Sequence, residues 1–521
     1  MNFMGALNKT NSNISYTENG MQGYKSIDNP YLDFLYKVSS FRGKGEEELN
    51  EIALDFINSL GESELRKYLL KFIIYIRDPR NGLGERALGR ELLSSLFKYF
   101  DFENKEDIFT WVVNRLYDYG RWDDYVSLVQ SLHLSEFGSQ ENKEGVTYIQ
   151  QLVLSLKKTL EDDLKNIEIN ASATLLAKWM PSINTSSYTT RSWAHFFVRN
   201  FDWSEKQYRQ TLSKLRKYLK VTERQMSHNE WKEINYEKVP SLANLRYKDA
   251  FLRHDRERRE EYLSKLSKGE VKINSSVNFP HDIVHKYTDT GWSIIINNYD
   301  ETVEQLWKNL KEIPGLNDTL VVRDDSGSMV SCLGKTNITA LEVATSLGIY
   351  CGEHCSETYK NKIISFSGNP KYLDFSNKDS LHDKLEYLYK HSEVANTNIR
   401  KVFQLILKTA TDNNLIQEDL PKQILIISDM EFDEGVDFER NPIAEAQVEF
   451  ERYGYKVPKL IFWNVNSRTN TVPIKTNGLG VYLLSGFSPN VLNLLSYGID
   501  NQFEALVDEL ERKFKEVPEI N

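Results

Sequence analysis

Apolar residues in the first half of the chain recur at helical spacing. Leu65, Leu69, Phe72, Ile73 and Ile76 share one helix face. Arg77-Asp78-Pro79 then stops that helix, because proline disfavours helix in the residue before it and has no N–H to donate. A second helix follows the Asn81-Gly82-Leu83-Gly84 turn, with Leu88, Leu92, Leu93 and Leu96 on one side. Similar helical pairs are expected around 107–133, 146–166 and 204–225. Helix after helix with short polar breaks, though without a countable period, predicts a HEAT-like helical-repeat module over 31–290. Residues 1–30 are rich in Asn, Ser, Thr and Gly and lack apolar periodicity, so they read as a mobile tail.

Beyond about residue 290 the pattern changes. Short apolar runs, Leu320-Val321-Val322, Ile363-Ile364-Ser365-Phe366, Ile424–Ile427, Leu460–Trp463 and Val481–Leu484, alternate with helical stretches near 338–351, 397–411 and 440–453. Fully apolar strands separated by helices predict a doubly wound parallel sheet covered on both faces, here over 317–521. The fold class is α plus α/β. In such sheets ligands sit in the crevice beyond the carboxyl ends of the strands.

A chain of 521 residues with 40% hydrophobic and 27% charged positions is too long for one core and has an ordinary globular composition. Its longest apolar runs are strand-sized, well short of the roughly 20 residues that a membrane span needs. The N-terminus lacks the basic and apolar regions of a signal peptide. Three cysteines are too few for a disulfide framework, which points to a reducing compartment, the cytoplasm, and a monomer is expected. The net charge of −10 hides an asymmetry. Residues 151–290 hold 25 Lys+Arg against 18 Asp+Glu, whereas 291–521 hold 23 against 34. A basic stretch of this kind is suited to an anionic partner.

The most informative segment is Val321-Val322-Arg323-Asp324-Asp325-Ser326-Gly327-Ser328-Met329, a buried strand that breaks into D-x-S-G-S at its carboxyl end. Carboxylate and hydroxyl oxygens suit a hard ion such as Mg²⁺ or Mn²⁺. Asn396-Thr397-Asn398 before a helix and Asp429 at the end of the Ile424–Ser428 strand supply matching oxygens. These positions resemble the metal-ion-dependent adhesion site of von Willebrand A domains. That resemblance implies Ser326, Ser328 and Thr397 as hydroxyl ligands, with Asp324 and Asp429 near the ion. Asn396 departs from the pattern, standing where many relatives have Gly, and a tilt of the Thr397 loop would follow.

The helical half carries Arg77-Asp78-Pro79-Arg80-Asn81-Gly82-Leu83-Gly84-Glu85-Arg86, Gly120-Arg121-Trp122-Asp123-Asp124 and Leu176-Ala177-Lys178-Trp179-Met180-Pro181-Ser182. These segments resemble the TROVE module of the Ro autoantigen RNA-binding family. With Ser428–Asp433, Phe462-Trp463-Asn464 and Ser485–Ser488, the pattern resembles an uncharacterised branch that joins a Ro-like helical region to a von Willebrand A domain. The resemblance implies a helical ring that binds structured or single-stranded RNA, closed by a Mg²⁺-presenting domain, and hence a ribonucleoprotein.

Candidate RNA contacts are Lys206, Arg209, Lys214, Arg216, Lys217 and Lys220, with Tyr208 and Tyr218 available for stacking. The Arg253–Glu260 run is self-neutralising through i,i+4 pairs. Arg77, Arg80, Arg86 and Arg121, beside Asp78, Glu85, Asp123 and Asp124, are expected to be structural ion pairs that lock neighbouring helices. His281 and His285 lack the H-E-x-x-H context of a zinc hydrolase, and Cys351, His354 and Cys355 lack a second Cys pair. Without a phosphate cradle or an activated nucleophile, no enzymatic activity is expected. Two functions remain open: a non-enzymatic RNA-binding protein, or a protein–protein adaptor whose partner donates Asp or Glu to the Mg²⁺.

Overall fold

In the computed structural model, which describes residues 3–135, 142–275, 277–290, 294–312, 314–434, 441–475, 481–498 and 500–521, short hairpins accompany one large sheet. Strand β1 (Ile14–Tyr16) pairs antiparallel with β2 (Gln22–Tyr24), and β3 (Thr288–Thr290) with β4 (Ile294–Ile296). The remaining strands are β5 (Thr319–Asp324), β6 (Lys362–Phe366), β7 (Lys371–Asp374), β8 (Gln423–Ser428), β9 (Lys459–Asn464) and β10 (Val481–Ser485). They form one sheet in the order β10-β9-β8-β5-β6-β7. All its pairings are parallel except that of the edge strand β7. β7, Lys-Tyr-Leu-Asp, is polar and mostly exposed, which is why apolar patterning missed it.

The apolar strands are buried on both faces, as their composition demands. Val322, Ile424, Ile426, Leu460 and Phe462 pack against helices Ile399–Asp412 and Pro442–Arg452. The opposite face is covered by helix Ala340–His354, nearly every residue of which is buried. From β5 the chain runs to β6 and β7 on one side, and from β8 to β9 and β10 on the other. The order therefore reverses between β5 and β8, and a ligand crevice is expected beyond their carboxyl ends.

Two compact units are present: residues 1–45 with 275–513, and residues 46–274 with 514–521. The N-terminal residues, expected as a mobile tail, are instead built into the sheet unit. Phe3–Ser12 is helical, and Met21 is fully buried in the same cluster as Val322 and Phe462. Tyr24 exchanges backbone hydrogen bonds with Val472 at 2.9 and 2.8 Å. These elements escape a period search because the strands are three residues long and their polar side chains are bonded, Thr17 Oγ1 donating to the Phe432 carbonyl at 2.7 Å. The segment 275–312, assigned in part to the helical module, also belongs with the sheet. Glu304, buried on helix Glu301–Lys308, accepts from the amides of Leu381 and His382 at 2.8 and 3.0 Å.

The second unit is helical. Glu46–Ser59, Leu69–Arg77, Arg86–Tyr99, Trp122–Leu134, Lys143–Glu168 and Glu205–Tyr218 each pack on a helix a short way along the chain. The stop at Arg77 and the turn after it fall where proline and glycine put them. A side chain at Gly82 would meet the Tyr75 carbonyl at 1.9 Å, and Gly84 has φ +70°. Arg77, on one helix, bonds Asp124 on another at 2.7 Å, both buried, and Arg90 on a third holds the same carboxylate at 2.6 Å. Burial pushes the Asp124 carboxyl up, but Arg77 and Arg90 outweigh it and keep it below the usual range. A side chain at Gly89 would meet Arg77 Cβ at 2.8 Å, so the helices cross closely there. Among the described residues no helix is long and apolar enough to cross a membrane.

Candidate metal centre

Strand β5 reaches the crevice through the fully buried Val321, Val322 and Arg323 and ends in oxygen donors. Asp324, its last residue, accepts from the Ser326 amide at 2.9 Å and from Ser428 Oγ, at the end of β8, at 2.5 Å. A tight turn over Gly327–Val330 brings Ser328 back, with its Oγ 3.1 Å from Ser326 Oγ. Ser328 lies close enough to Asp429 to hold its carboxyl down. Asp324, Ser326, Ser328 and Asp429 are thus brought together at the switch point. Both carboxylates are completely shielded from solvent.

The Thr397 loop joins them. Its Ala395 carbonyl accepts from the Gly327 amide at 2.8 Å. The Thr397 carbonyl accepts from Asp433 N at 3.0 Å, and its amide donates to Asp433 Oδ1 at 3.3 Å. Thr397 is buried, and Asn398 caps the following helix by accepting from Lys401 N. Asn396 is exposed and is not among the residues with positive φ. Its φ is not one that requires glycine, so the loop takes this path with Asn at that position.

Several supporting residues are invisible to motif reading. Arg323, buried on β5, donates to Asp325 Oδ2, Ser365 Oγ and Ser392 Oγ at 3.2, 2.7 and 2.8 Å. Asp325 Oδ2 also accepts the Glu393 amide at 3.0 Å, so this buried pair anchors the loop that carries Thr397. Glu431, also buried, accepts from the amides of Glu18, Arg468 and Thr469 at 2.8, 2.8 and 2.9 Å. Met430, between Asp429 and Glu431, has φ +64°, a strained conformation for a large side chain that turns the chain sharply after Asp429. One signal was available: a buried strand ending Arg-Asp-Asp must pair its charges internally.

Two carboxylates and the Ser326 and Ser328 hydroxyls, with the Thr397 loop tied alongside through Ala395, make an all-oxygen donor set that fits a hard divalent cation. The thiols of Cys351 and Cys355 are buried and several imidazoles are engaged elsewhere. Burial raises the thiols of Cys351 and Cys355, and His354 Nδ1 lies 2.7 Å from the Tyr350 carbonyl. His281 Nε2 bonds the Arg42 guanidinium and His285 Nδ1 bonds Glu342. His382, Asp383 and Glu386 also lie close together, but on the helix Leu381–Lys390 with both acids exposed. That is ordinary for an i,i+4 surface group.

The RNA candidates on helix Glu205–Tyr218 and just after it divide in two. Tyr208 is fully buried and donates to the Pro181 carbonyl at 2.8 Å, so its ring has no face for a base. Arg216 is spent on the backbone, donating to the carbonyls of Ala177 and Met180 at 2.8 and 2.7 Å and to Ser182 Oγ at 2.8 Å. Both residues serve packing; the Leu176–Ser182 segment is what they hold. Lys206, Arg209, Lys214, Lys217 and Lys220 are exposed, Lys214 facing Glu168 at 3.3 Å. Tyr218 is at the surface, its hydroxyl on the Ala171 carbonyl.

Residues 318–518 match the family described as Domain of unknown function DUF7788, and residues 199–314 that described as Domain of unknown function DUF2828. The chain is also 26% identical, over 514 residues, to "Uncharacterized protein L728" of Acanthamoeba polyphaga mimivirus, a span of 93% of this chain and 85% of that protein. Every residue of the candidate centre falls inside the first family match.

The charge at the centre makes its own prediction. Burial, and then the charge of Asp429, raise the Asp324 carboxyl above the usual range; burial raises Asp429 too. A carboxyl raised by folding favours the folded state most when protonated. The cation-free protein should therefore lose stability as pH rises from the unfolded value of 3.8 through the raised one. Asp324→Asn should melt above the parent in chelator at pH 8, by about 2–4 °C per kcal/mol relieved, with the gap closing toward pH 4. Calorimetric melts that place the variant below the parent at pH 8 contradict this.

Proposed function

We propose that residues 317–521 form a von Willebrand A-type domain whose Asp324, Ser326, Ser328, Thr397 and Asp429 hold Mg²⁺ or Mn²⁺, and that the ion recognises an acidic side chain of a protein partner. The observation that carries this reading is the gathering of Asp324, Ser326, Ser328 and Asp429 at the switch point, with the Thr397 loop tied alongside. Two buried carboxylates beside each other are relieved by positive charge, and an ion there would keep positions for water or a partner carboxylate on the side where Ser328 is half-buried. The role is binding rather than catalysis. Micromolar to millimolar affinity suits an oxygen site that keeps some of its waters. Isothermal calorimetry tests it: the parent should bind Mg²⁺, and Asp324→Ala with Ser326→Ala should abolish the heat while the domain stays folded. Unchanged binding in the double variant sinks the assignment.

A second reading, an RNA-binding protein of the Ro-like kind, is supported by the exposed basic stripe Lys206, Arg209, Lys214, Lys217 and Lys220. Burial of Tyr208 and engagement of Arg216 reduce its stacking and charge, which places it behind the first. If it holds, single-stranded or end-bearing RNA should bind with affinity falling by roughly 0.7–0.9 log units per tenfold salt for each phosphate neutralised. Lys206→Glu, Arg209→Glu and Lys217→Glu together should remove most of that binding, since all three lie on the solvated face of the helix. A filter-binding titration at two salt concentrations decides it; salt-insensitive or absent binding by the parent ends this reading.

A further inference from the structure

Arg468 reaches the candidate centre from outside it. Its Nη1 lies 3.3 Å from Asp429 Oδ2, while Nε and Nη2 lie 2.8 and 2.5 Å from Glu18 Oε2. The guanidinium therefore bridges a buried ligand carboxylate and a carboxylate of the turn between β1 and β2. Its position is set by the backbone: the Arg468 amide donates to Glu431 Oε1, and the Glu18 amide to Glu431 Oε2, each at 2.8 Å. Asn19 Nδ2 adds a bond to the Glu431 carbonyl at 2.6 Å, and Thr17 one to Phe432. Three segments far apart in sequence are thus stapled through one buried carboxylate, and the staple aims Arg468 at Asp429.

We propose that Arg468 is the resident counter-cation of the Asp324–Asp429 pair, shared with Glu18, so that loading of a divalent cation and docking of the N-terminal turn are linked through this one side chain. The inference rests on the metal reading above. A divalent cation near Asp429 and a guanidinium on the same buried carboxylate repel each other across a few ångströms, so each weakens the other's hold even though Arg468 is itself partly exposed. Glu18 sets the balance: it draws Arg468 away from Asp429 and neutralises it. Metal binding shifts Arg468 onto Glu18 alone and tightens that contact.

The signs of three variants test this with Mg²⁺ alone as probe, by calorimetry on the full chain. Arg468→Met keeps the aliphatic stem and removes the charge, and should lower the Mg²⁺ dissociation constant about tenfold. Glu18→Gln leaves Arg468 unneutralised beside Asp429 and should raise it severalfold. In the double variant the Glu18→Gln effect should vanish, because it acts only through Arg468. If the parent binds Mg²⁺ but Arg468→Met binds within twofold of it or more weakly, the inference is wrong and the metal reading stands. A Glu18→Gln effect that persists without Arg468 also overturns it. A parent that binds no Mg²⁺ overturns both. Should Arg468→Met not fold, Glu18→Gln decides by its sign.

Discussion

Two carboxylates buried side by side govern the architecture of the sheet unit. Asp324 ends β5 and Asp429 follows β8, and the strand order reverses between those two strands, so the topology itself brings like charges into one crevice. Nothing in hydrophobic packing rewards that arrangement. It stands because the surroundings supply donors: the Ser326 amide and Ser428 for Asp324, and Ser328 and Arg468 for Asp429. Strain at Met430 and the anchoring of the Thr397 loop are further costs borne at the same place.

Several other buried charges are held differently. Arg323 with Asp325, and Arg77 and Arg90 with Asp124, are opposite charges in direct contact. Glu431 is buried and held by backbone amides and hydroxyls of two further segments, around Glu18 and around Ser467–Thr469. These groups are structural ties: removing one partner from such a pair costs about 3–5 kcal/mol because the other is left buried and uncompensated. Asp324 and Asp429 repel instead of attract. That opposition, relieved on the Asp429 side by Arg468, is what the proposed cation would offset.

Much of this was legible in the chain, for identifiable reasons. Parallel strands buried on both faces are unbroken apolar runs, so β5, β6, β8, β9 and β10 are visible, as is the helix stop at Arg77-Asp78-Pro79. The oxygen donors show because D-x-S-G-S falls at a strand end, where α/β sheets bind ligands. Polar edge strand β7 and the three-residue strands β1 and β2 leave no periodic trace. Met21 looks like one methionine in a polar tail, yet it is fully buried beneath helices that follow hundreds of residues later. Tyr208 and Arg216 mislead for a related reason: on a helix rich in Lys and Arg, composition cannot tell the solvated face from the buried one. Only their spacing, with Thr211, Leu212 and Leu215 sharing the buried face of Tyr208, marks which is which. Arg468 and Glu18 were beyond reach, since 450 residues of sequence separate them.

The central claim is that an ion sits among these particular oxygens. Crystals of the full chain grown with Mn²⁺ and measured for anomalous scattering test it most directly. An anomalous peak within coordination distance of Ser326, Ser328 and Thr397, between Asp324 and Asp429, is the expected result. A map with no peak there, or with its only peak on the His382, Asp383 and Glu386 surface group, would contradict the account.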